Sequence, residues 1–390
     1  MRVAFALARY GREVLGGAET LAAGLVQQAA AAGWDVEVWT TCAVDYASWQ
    51  NEFPAGTAVE EGVIIRRFPV DPWDPTIFHA LNSQLQRRRV LPIDSQYNLL
   101  ASGPHSSALV SHAEQHAAEF DAVIVMPYLH SLSYDVALVA GERLVFWPCL
   151  HDEPYAYMEP YRLLFEGAWG TVFISPEEAS LALDGLKVKL ARSAVIGSGV
   201  NLETAGGSVA PHPYTRQPYL LYIGRLDPGK NVPLLYDYIS HYATDGGRLR
   251  LLVAGDGVAT PPDHAAITAL GRISEAEKGQ LLQGAVALCQ PSFNESVSLV
   301  MMEAWLAGRP ALVWGDCAVT RGHVQRSKGG LWFNSYETFR DAADWFLTYP
   351  EQAQRMGTNG RAYVQANYTW PLVFQRFADT LARWQREAAQ

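Results

Sequence analysis

Cysteine is scarce: Cys42, Cys149, Cys289 and Cys317 are the only four in 390 residues, and no two form a C-x-x-C pair. That argues against a disulfide framework or zinc ribbon and fits a reducing, cytoplasmic setting. No run of eighteen apolar residues occurs, so no membrane-spanning helix is expected. The first apolar stretch, Val3–Ala8, is closed by Arg9 and has the length of a buried strand, too short for a signal peptide. No D-x-D or H-E-x-x-H sequence is present. His112 and His116 enclose Ala113-Glu114-Gln115 and read as a helix surface, so no metal site is expected.

Charged residues make up 18% and hydrophobic ones 49%, which excludes disorder and coiled coil. The length suits two domains better than one. The net charge of −10 is lopsided: residues 1–205 hold 13 Lys+Arg against 24 Asp+Glu, residues 206–390 hold 17 against 16. An acidic first half disfavours nucleic acid and strongly anionic membranes as partners. Arg66-Arg67 and Arg87-Arg88-Arg89 are local exceptions, read as solvated positions more readily than as an anion-docking patch.

Short β-rich runs alternate with helical stretches, the pattern of parallel α/β sheets. Candidate strands are Val3–Ala8, Asp35–Thr40, Val63–Phe68, Ala122–Met126, Arg143–Trp147, Thr171–Ile174 and Ser193–Ile196. The Gly/Pro-containing stretch 203–213 reads as a linker and a natural hinge. The pattern then restarts with Tyr219–Ile223, Leu249–Ala254, Ile267–Leu270, Val286–Leu288 and Ala311–Val313, and residues 336–390 read as nearly all helical, with no strand signal. Two Rossmann-like α/β domains facing across a cleft are expected, residues 1–207 and 208–369, with the helix at 370–390 returning to the first. Ligands of such sheets bind beyond the carboxyl ends of the strands.

Four segments carry chemistry. Gly16-Gly17 stands between the first strand and the first helix, where backbone N–H groups can approach a phosphate. Gly224-Arg225-Leu226-Asp227-Pro228-Gly229-Lys230 matches the front of a P-loop, but Asn231 replaces its Ser or Thr. Arg225 and Lys230 there suit a diphosphate without a metal counter-ion. Glu295 and Glu303 stand on a strand-end loop and the helix that follows, where both can address one elongated ligand. His151, with Asp152 and Glu153, follows the strand at Arg143–Trp147, a place where catalytic side chains tend to sit.

In combination, Gly16-Gly17, His151, Gly224-Arg225 with Gly229-Lys230-Asn231, Gly255-Asp256-Gly257, and Glu295 to Glu303 with Ala304, Gly308-Arg309-Pro310 resemble the retaining family 4 glycosyltransferases of the GT-B fold. The resemblance spans essentially the whole chain. It implies a nucleotide-diphosphate sugar as co-substrate and no cofactor or metal. It also implies that Arg225 and Lys230 hold the diphosphate, Glu303 binds the ribose, and Glu295 contacts the sugar. Gly17 would approach the phosphates, His151 would sit beside the sugar, and Arg272 and Ile273 would bracket the base. Leu299 and Val300 would offer N–H groups. The acceptor hydroxyl would attack from the leaving-group side, giving its proton to the departing phosphate. Where the family commonly has Gly-Phe-Gly after the first glutamate, this chain has Ser296-Val297-Ser298, and the Cβ of Ser298 narrows the room for the sugar.

Trp49 in the segment Tyr46–Phe53, His105 after Ser102-Gly103-Pro104, and Asp152 are the acceptor-side candidates, for a glycan, glycolipid or natural-product hydroxyl. The acidic first half favours a neutral or amine-bearing acceptor. A non-catalytic nucleotide-sugar-binding subunit, and an epimerase or phosphorylase on the same fold, are the alternatives.

Overall fold

A computed structural model describes every residue except 15, 47, 202–213, 215, 216 and 390. The expected linker and the boundary after residue 207 therefore lie outside the described residues, as does position 15 of the first glycine segment. The chain divides into two compact units, residues 1–199 with 370–390, and residues 200–369.

The first unit is built on a sheet of β1 (Arg2–Ala6), β2 (Asp35–Thr41), β3 (Gly56–Glu60), β4 (Val63–Phe68), β5 (Ala122–Val125), β6 (Leu144–Phe146), β7 (Gly170–Phe173) and β8 (Ser193–Val195). Its order is β3-β4-β2-β1-β5-β6-β7-β8, parallel except for β3, which runs antiparallel to β4. Strands β1, β5, β6 and β7 are buried almost throughout, which is why they read as short continuous apolar runs. Strand β3 has no such signature: all five residues are exposed, and it was not expected.

The second unit repeats the logic with β9 (Tyr219–Ile223), β10 (Arg250–Ala254), β11 (Ile267–Gly271), β12 (Ala287–Gln290), β13 (Ala311–Trp314) and β14 (Gly330–Phe333). The order is β11-β10-β9-β12-β13-β14, and every pairing is parallel. Strand β14 is a second omission from the sequence reading. It is four residues long and opens on Gly330, where a Cβ would lie 2.0 Å from the Ala311 carbonyl oxygen.

Both sheets reverse direction of winding once, between β1 and β5 and between β9 and β12. Such a reversal leaves a crevice beyond the carboxyl ends of the two strands, because the following helices pass to opposite faces. The loops after β1, β5, β9 and β12 are therefore the places to look for a site.

The helix Trp370–Ala388 belongs to the first unit. Its buried residues, Trp370, Val373, Phe377, Thr380, Leu381 and Trp384, recur every three or four positions and form one stripe. Phe377 meets Trp147 at 5.5 Å, Trp34 at 6.2 Å and Phe5 at 6.5 Å between ring centroids. Trp384 lies over Gly170, where a Cβ would approach its ring to 2.3 Å.

Two readings of polar residues change. Arg66 and Arg67 are not a solvated patch: Arg66 pairs with the buried Glu37 at 2.6 Å, and Arg67 lies over the Phe53 ring. His112 is half-buried and not on an open helix surface. Its ring sits 5.0 Å from Trp39 and 5.1 Å from Phe68, and burial lowers its pKa to about 4. Arg87, Arg88 and Arg89 are exposed.

Phe377→Ala removes a fully buried ring and should lower the stability of the first unit by ~3–5 kcal/mol, read from the urea midpoint followed by tryptophan fluorescence.

Candidate functional site

In the second unit, the loop after β9 is held by the loop after β10. Leu226 N–H donates to the Asp256 carbonyl at 2.8 Å, and a Cβ on Gly255 (φ +133°) would fall 1.9 Å from the Gly224 oxygen. The Gly-Asp-Gly sequence is thus a backbone-to-backbone contact, closed to any side chain at its first position. Asp227 accepts from Lys230 N–H at 2.9 Å and closes the turn Pro228–Lys230. Asn231 then enters the helix Val232–Thr244 from a left-handed conformation.

That turn aims Lys230 inward. Its Nζ lies 2.6 Å from Glu295 Oε1, and the two side chains are 21% and 10% exposed. Gln290, the last residue of β12, donates from Nε2 to the same carboxylate oxygen at 2.8 Å and to Ser292 Oγ at 3.0 Å. Lys230, Gln290 and Glu295 thus form one charged cluster at the winding reversal between β9 and β12. Arg225 does not join it: its side chain is 78% exposed, with Nε 3.6 Å from Asp227. Arg225 and Lys230 thus share one loop, but their side chains pair with different carboxylates, Asp227 and Glu295.

Glu303 lies on the helix Leu299–Leu306 and is paired with Lys278, at 2.8 Å, which also bonds Glu275 at 2.6 Å. Burial raises the Glu303 carboxyl above the ordinary carboxylate range, and the Lys278 ammonium pulls it back down. The sequence pointed to Glu303 but not to Lys278, whose partner lies 25 positions away. Arg272, beside the half-buried Ile273, bonds Asp256 at 2.5 Å.

Leu299 and Val300 are the first residues of their helix, so their N–H groups have no carbonyl within it to bond. Ser298 precedes them with φ +63° and ψ +79°, is 4% exposed, and makes no side-chain cap. A side chain in that conformation costs ~1–2 kcal/mol. A buried hydroxyl left without a partner costs about as much again.

In the first unit, Arg9 follows β1 and is almost fully buried. It pairs with Glu19 at 2.6 Å, donates to the Val44 carbonyl at 2.7 Å, and lies 3.2 Å above the Tyr46 ring. The Tyr46 hydroxyl also donates to Glu19. Tyr46 stacks on His130, after β5, at 4.5 Å, and Trp49 meets the same imidazole edge-on at 5.5 Å. Burial, aided by Arg9, lowers the His130 pKa to about 3, so the ring is neutral. Of this cluster the sequence points to Tyr46 and Trp49, through the segment Tyr46–Phe53, but not to Arg9 or His130. Gly16 is required by it: a Cβ there would lie 1.9 Å from Glu19 Oε2, whereas a Cβ on Gly17 would meet nothing within 4 Å. A cavity of ≈ 380 Å³ opens beside Gly11, walled in part by Tyr10, Arg12, Glu19, Glu60 and Glu61.

The loop after β6 carries His151, whose Nδ1 is 3.6 Å from Glu153. Asp152 accepts from the Tyr157 hydroxyl at 2.7 Å. His105 lies elsewhere in the unit, 2.5 Å from Asp135, which raises its pKa. Glu178 supports the β6 loop from below: its two oxygens accept from Leu150 N–H and Ile174 N–H, each at 2.5 Å. No sequence motif marks this carboxylate.

Residues 209–363 match the family model described as Glycosyl transferases group 1. No curated protein matches the chain in sequence. Among solved structures, sucrose-phosphate synthase from Thermosynechococcus elongatus is similar with TM-score 0.73 at 18% identity, covering 100% of each chain. Anabaena Alr3699/HepE in complex with UDP and glucose has TM-score 0.69 at 15% identity over 98% of this chain and 100% of its own. The α,α-trehalose 6-phosphate synthase from Burkholderia multivorans has TM-score 0.71 at 14% identity, over 100% of this chain and 99% of its own. The fold is GT-B, with two parallel-sheet domains, and with the group 1 match the enzyme is a glycosyltransferase. Among the described residues no helix is long and apolar enough to cross a membrane.

Burial raises the Glu178 pKa to about 7, against its two backbone donors and the nearby His151. The folded state then holds a proton that the unfolded chain releases near its ordinary value of ~4.3. Stability from this group is full below that value and lost as pH rises through about 7. Urea unfolding at pH 5 and pH 8 should show the wild type losing more stability over that interval than Glu178→Gln, which does not titrate.

Proposed function

We propose that the chain is a retaining family 4 glycosyltransferase that moves a sugar from a nucleotide-diphosphate sugar to a hydroxyl acceptor without a metal. The observation that carries this reading is the Lys230–Glu295–Gln290 cluster at the β9/β12 reversal, within the segment matching the group 1 model. The Anabaena HepE structure holds UDP and glucose on a similar fold, which supports a nucleotide sugar as co-substrate here.

In this reading the second unit binds the donor. Lys230 exchanges part of its bond to Glu295 for the diphosphate, and Arg225, exposed and loosely held, closes on the same group. Leu299 and Val300 offer N–H groups at a helix start, where the aligned peptide dipoles favour an anion. Glu303, paired with Lys278, accepts from the ribose hydroxyls. Arg272 and Ile273 flank the base. Glu295 bonds the sugar, and its carboxylate stabilises positive charge that develops at the anomeric carbon as the glycosidic bond to phosphate breaks. The acceptor oxygen attacks from the side the phosphate leaves, and its proton passes to that phosphate. The spacing of Glu295 and Glu303 supports the assignment to family 4.

The first unit takes the acceptor. Gly17 leaves its backbone open for close approach, and His151 hydrogen-bonds a sugar hydroxyl. The cavity beside Gly11 has Glu60 and Glu61 in its wall, which favours a neutral or amine-bearing acceptor over an anionic one. Trp49 and Asp152, stacked or bonded inside the unit, act as acceptor-side walls in this reading, whereas His105, paired with Asp135 elsewhere in the unit, does not. Four free, buried cysteines support a cytoplasmic location.

Lys230→Ala should lower turnover ~100-fold or more while the far-ultraviolet circular dichroism stays that of the wild type. Near-normal turnover in the folded variant would reject the site. The anomeric configuration of the product, assigned by NMR, should match that of the donor; inversion would refute the mechanism.

A further inference from the structure

Two polar atoms at the carboxyl end of β12 have no hydrogen-bond partner among the described residues: Gln290 Oε1 and Ser298 Oγ. Their residues are 3% and 4% exposed, and the loop carrying Glu295 joins them. The identity of the Gln290 atoms is set by chemistry. The atom 2.8 Å from Glu295 Oε1 faces a carboxylate, which only accepts, so it is the amide nitrogen. The other atom is then an acceptor with no proton of its own. It can bond a hydroxyl or an N–H, but not an ionised phosphate oxygen.

Ser298 points the same way. At φ +63° a glycine would sit without strain, and a serine does not. The hydroxyl gives nothing back: it makes no cap and has no partner. Serine therefore weakens the fold twice at a position where glycine would do neither, and no contact within the unit accounts for it. Strain and an orphaned polar group at the mouth of a site are the marks of a residue kept for a ligand.

We propose that Gln290 and Ser298 read the transferred sugar: Gln290 Oε1 accepts a hydrogen bond from one hydroxyl of a hexosyl group, and Ser298 Oγ bonds another. The inference rests on the donor reading given above and extends it by assigning the ends of the ligand. The diphosphate belongs with Lys230 and the helix start, and the hydroxyl-rich sugar with Gln290 and Ser298. Ser298 becomes a determinant of donor-sugar choice, not merely a narrowing of the site.

Titration calorimetry on the full chain separates the two ends, using UDP, GDP and ADP beside UDP-glucose, GDP-mannose and ADP-glucose. For the nucleotide that the wild type binds, Ser298→Gly should weaken the sugar nucleotide ~10-fold. The bare diphosphate should change less than about twofold, since no bond to it is lost. The melting temperature of Ser298→Gly should not fall, because strain and an orphaned hydroxyl are both removed. Ser298→Ala, which keeps the Cβ, should repeat the ligand pattern and so tie it to the hydroxyl. Gln290→Met, close in volume, should weaken the sugar nucleotide more than the bare one. The proposal is overturned if both Ser298 variants bind the sugar nucleotide as the wild type does. It is equally overturned if bare and sugar nucleotides weaken together, or if Ser298→Gly melts lower. A wild type that binds none of the six ligands overturns the donor reading itself, and the proposal with it.

Discussion

A lysine ammonium and a glutamate carboxylate, both largely withdrawn from water and 2.6 Å apart, tie the loop after β9 to the loop after β12. Desolvating either charge alone would cost several kcal/mol, and the pairing offsets much of that cost only because the geometry is good and a third group, the Gln290 amide, bonds the same carboxylate. The consequence is preorganisation. Lys230 is already stripped of most of its water, so an anion that reaches it need not remove that shell again. In the proposed reading a diphosphate sugar divides this pair, phosphate to the ammonium and sugar to the carboxylate. The same arrangement in water would be worth far less, because solvent would screen it and would have to reorganise during reaction.

The pair sits where it does because of strand order. Each sheet winds outward in both directions from a central strand, β1 or β9, and the adjacent strand, β5 or β12, begins the second direction. The two helices that follow pass to opposite faces, which leaves the crevice between their loops open. Lys230, Glu295 and Ser298 lie on such loops in the second unit, with Gln290 at the end of β12, and Arg9, Gly16 and His130 lie on the corresponding loops of the first. The units share this plan without any sequence repeat, since a parallel sheet asks only for apolar strands and amphipathic helices in alternation.

That difference explains what could be read from sequence. Strands such as Tyr219–Ile223 and Val63–Phe68 were legible to the residue, the first because full burial forces a short apolar run, the second because half-burial leaves every other residue buried. Strand β3 was not, because an exposed edge strand is held by backbone pairing to β4 and leaves its side chains free to be anything. Within the site, Lys230, Glu295 and Glu303 were legible through spacing along the chain. Their supports were not: Lys278 reaches Glu303 across 25 positions, and Glu178 holds the His151 loop from 28 positions beyond Leu150. A contact made only in three dimensions leaves no periodicity. The Arg9–Glu19–Tyr46–His130 cluster was missed as a cluster for the same reason. It gathers residues from four separate segments, each unremarkable by itself.

Backbone strain divides along the same line. Among the non-glycine residues with positive φ, Arg89 and Lys328 end helices, where a left-handed residue closes the last turn and satisfies its carbonyls. Asn231 closes the short turn Pro228–Lys230 in the same way, while Cys149 and Ser298 end no helix; they stand in loops at the carboxyl edge of a sheet, near His151 and Glu295. Asparagine tolerates that conformation, whereas cysteine and serine tolerate it less well. The surrounding contacts must hold these residues in place: the Glu178 strut beneath Cys149, and the buried β12 loop around Ser298. Strain held by a rigid frame orients the neighbouring side chain without any movement on binding. A slack loop would have to be ordered by the ligand and would weaken binding by that entropy. The stability lost at Cys149 and Ser298 is therefore matched by loops that hold His151 and Glu295, the groups proposed to face the ligand, in fixed positions.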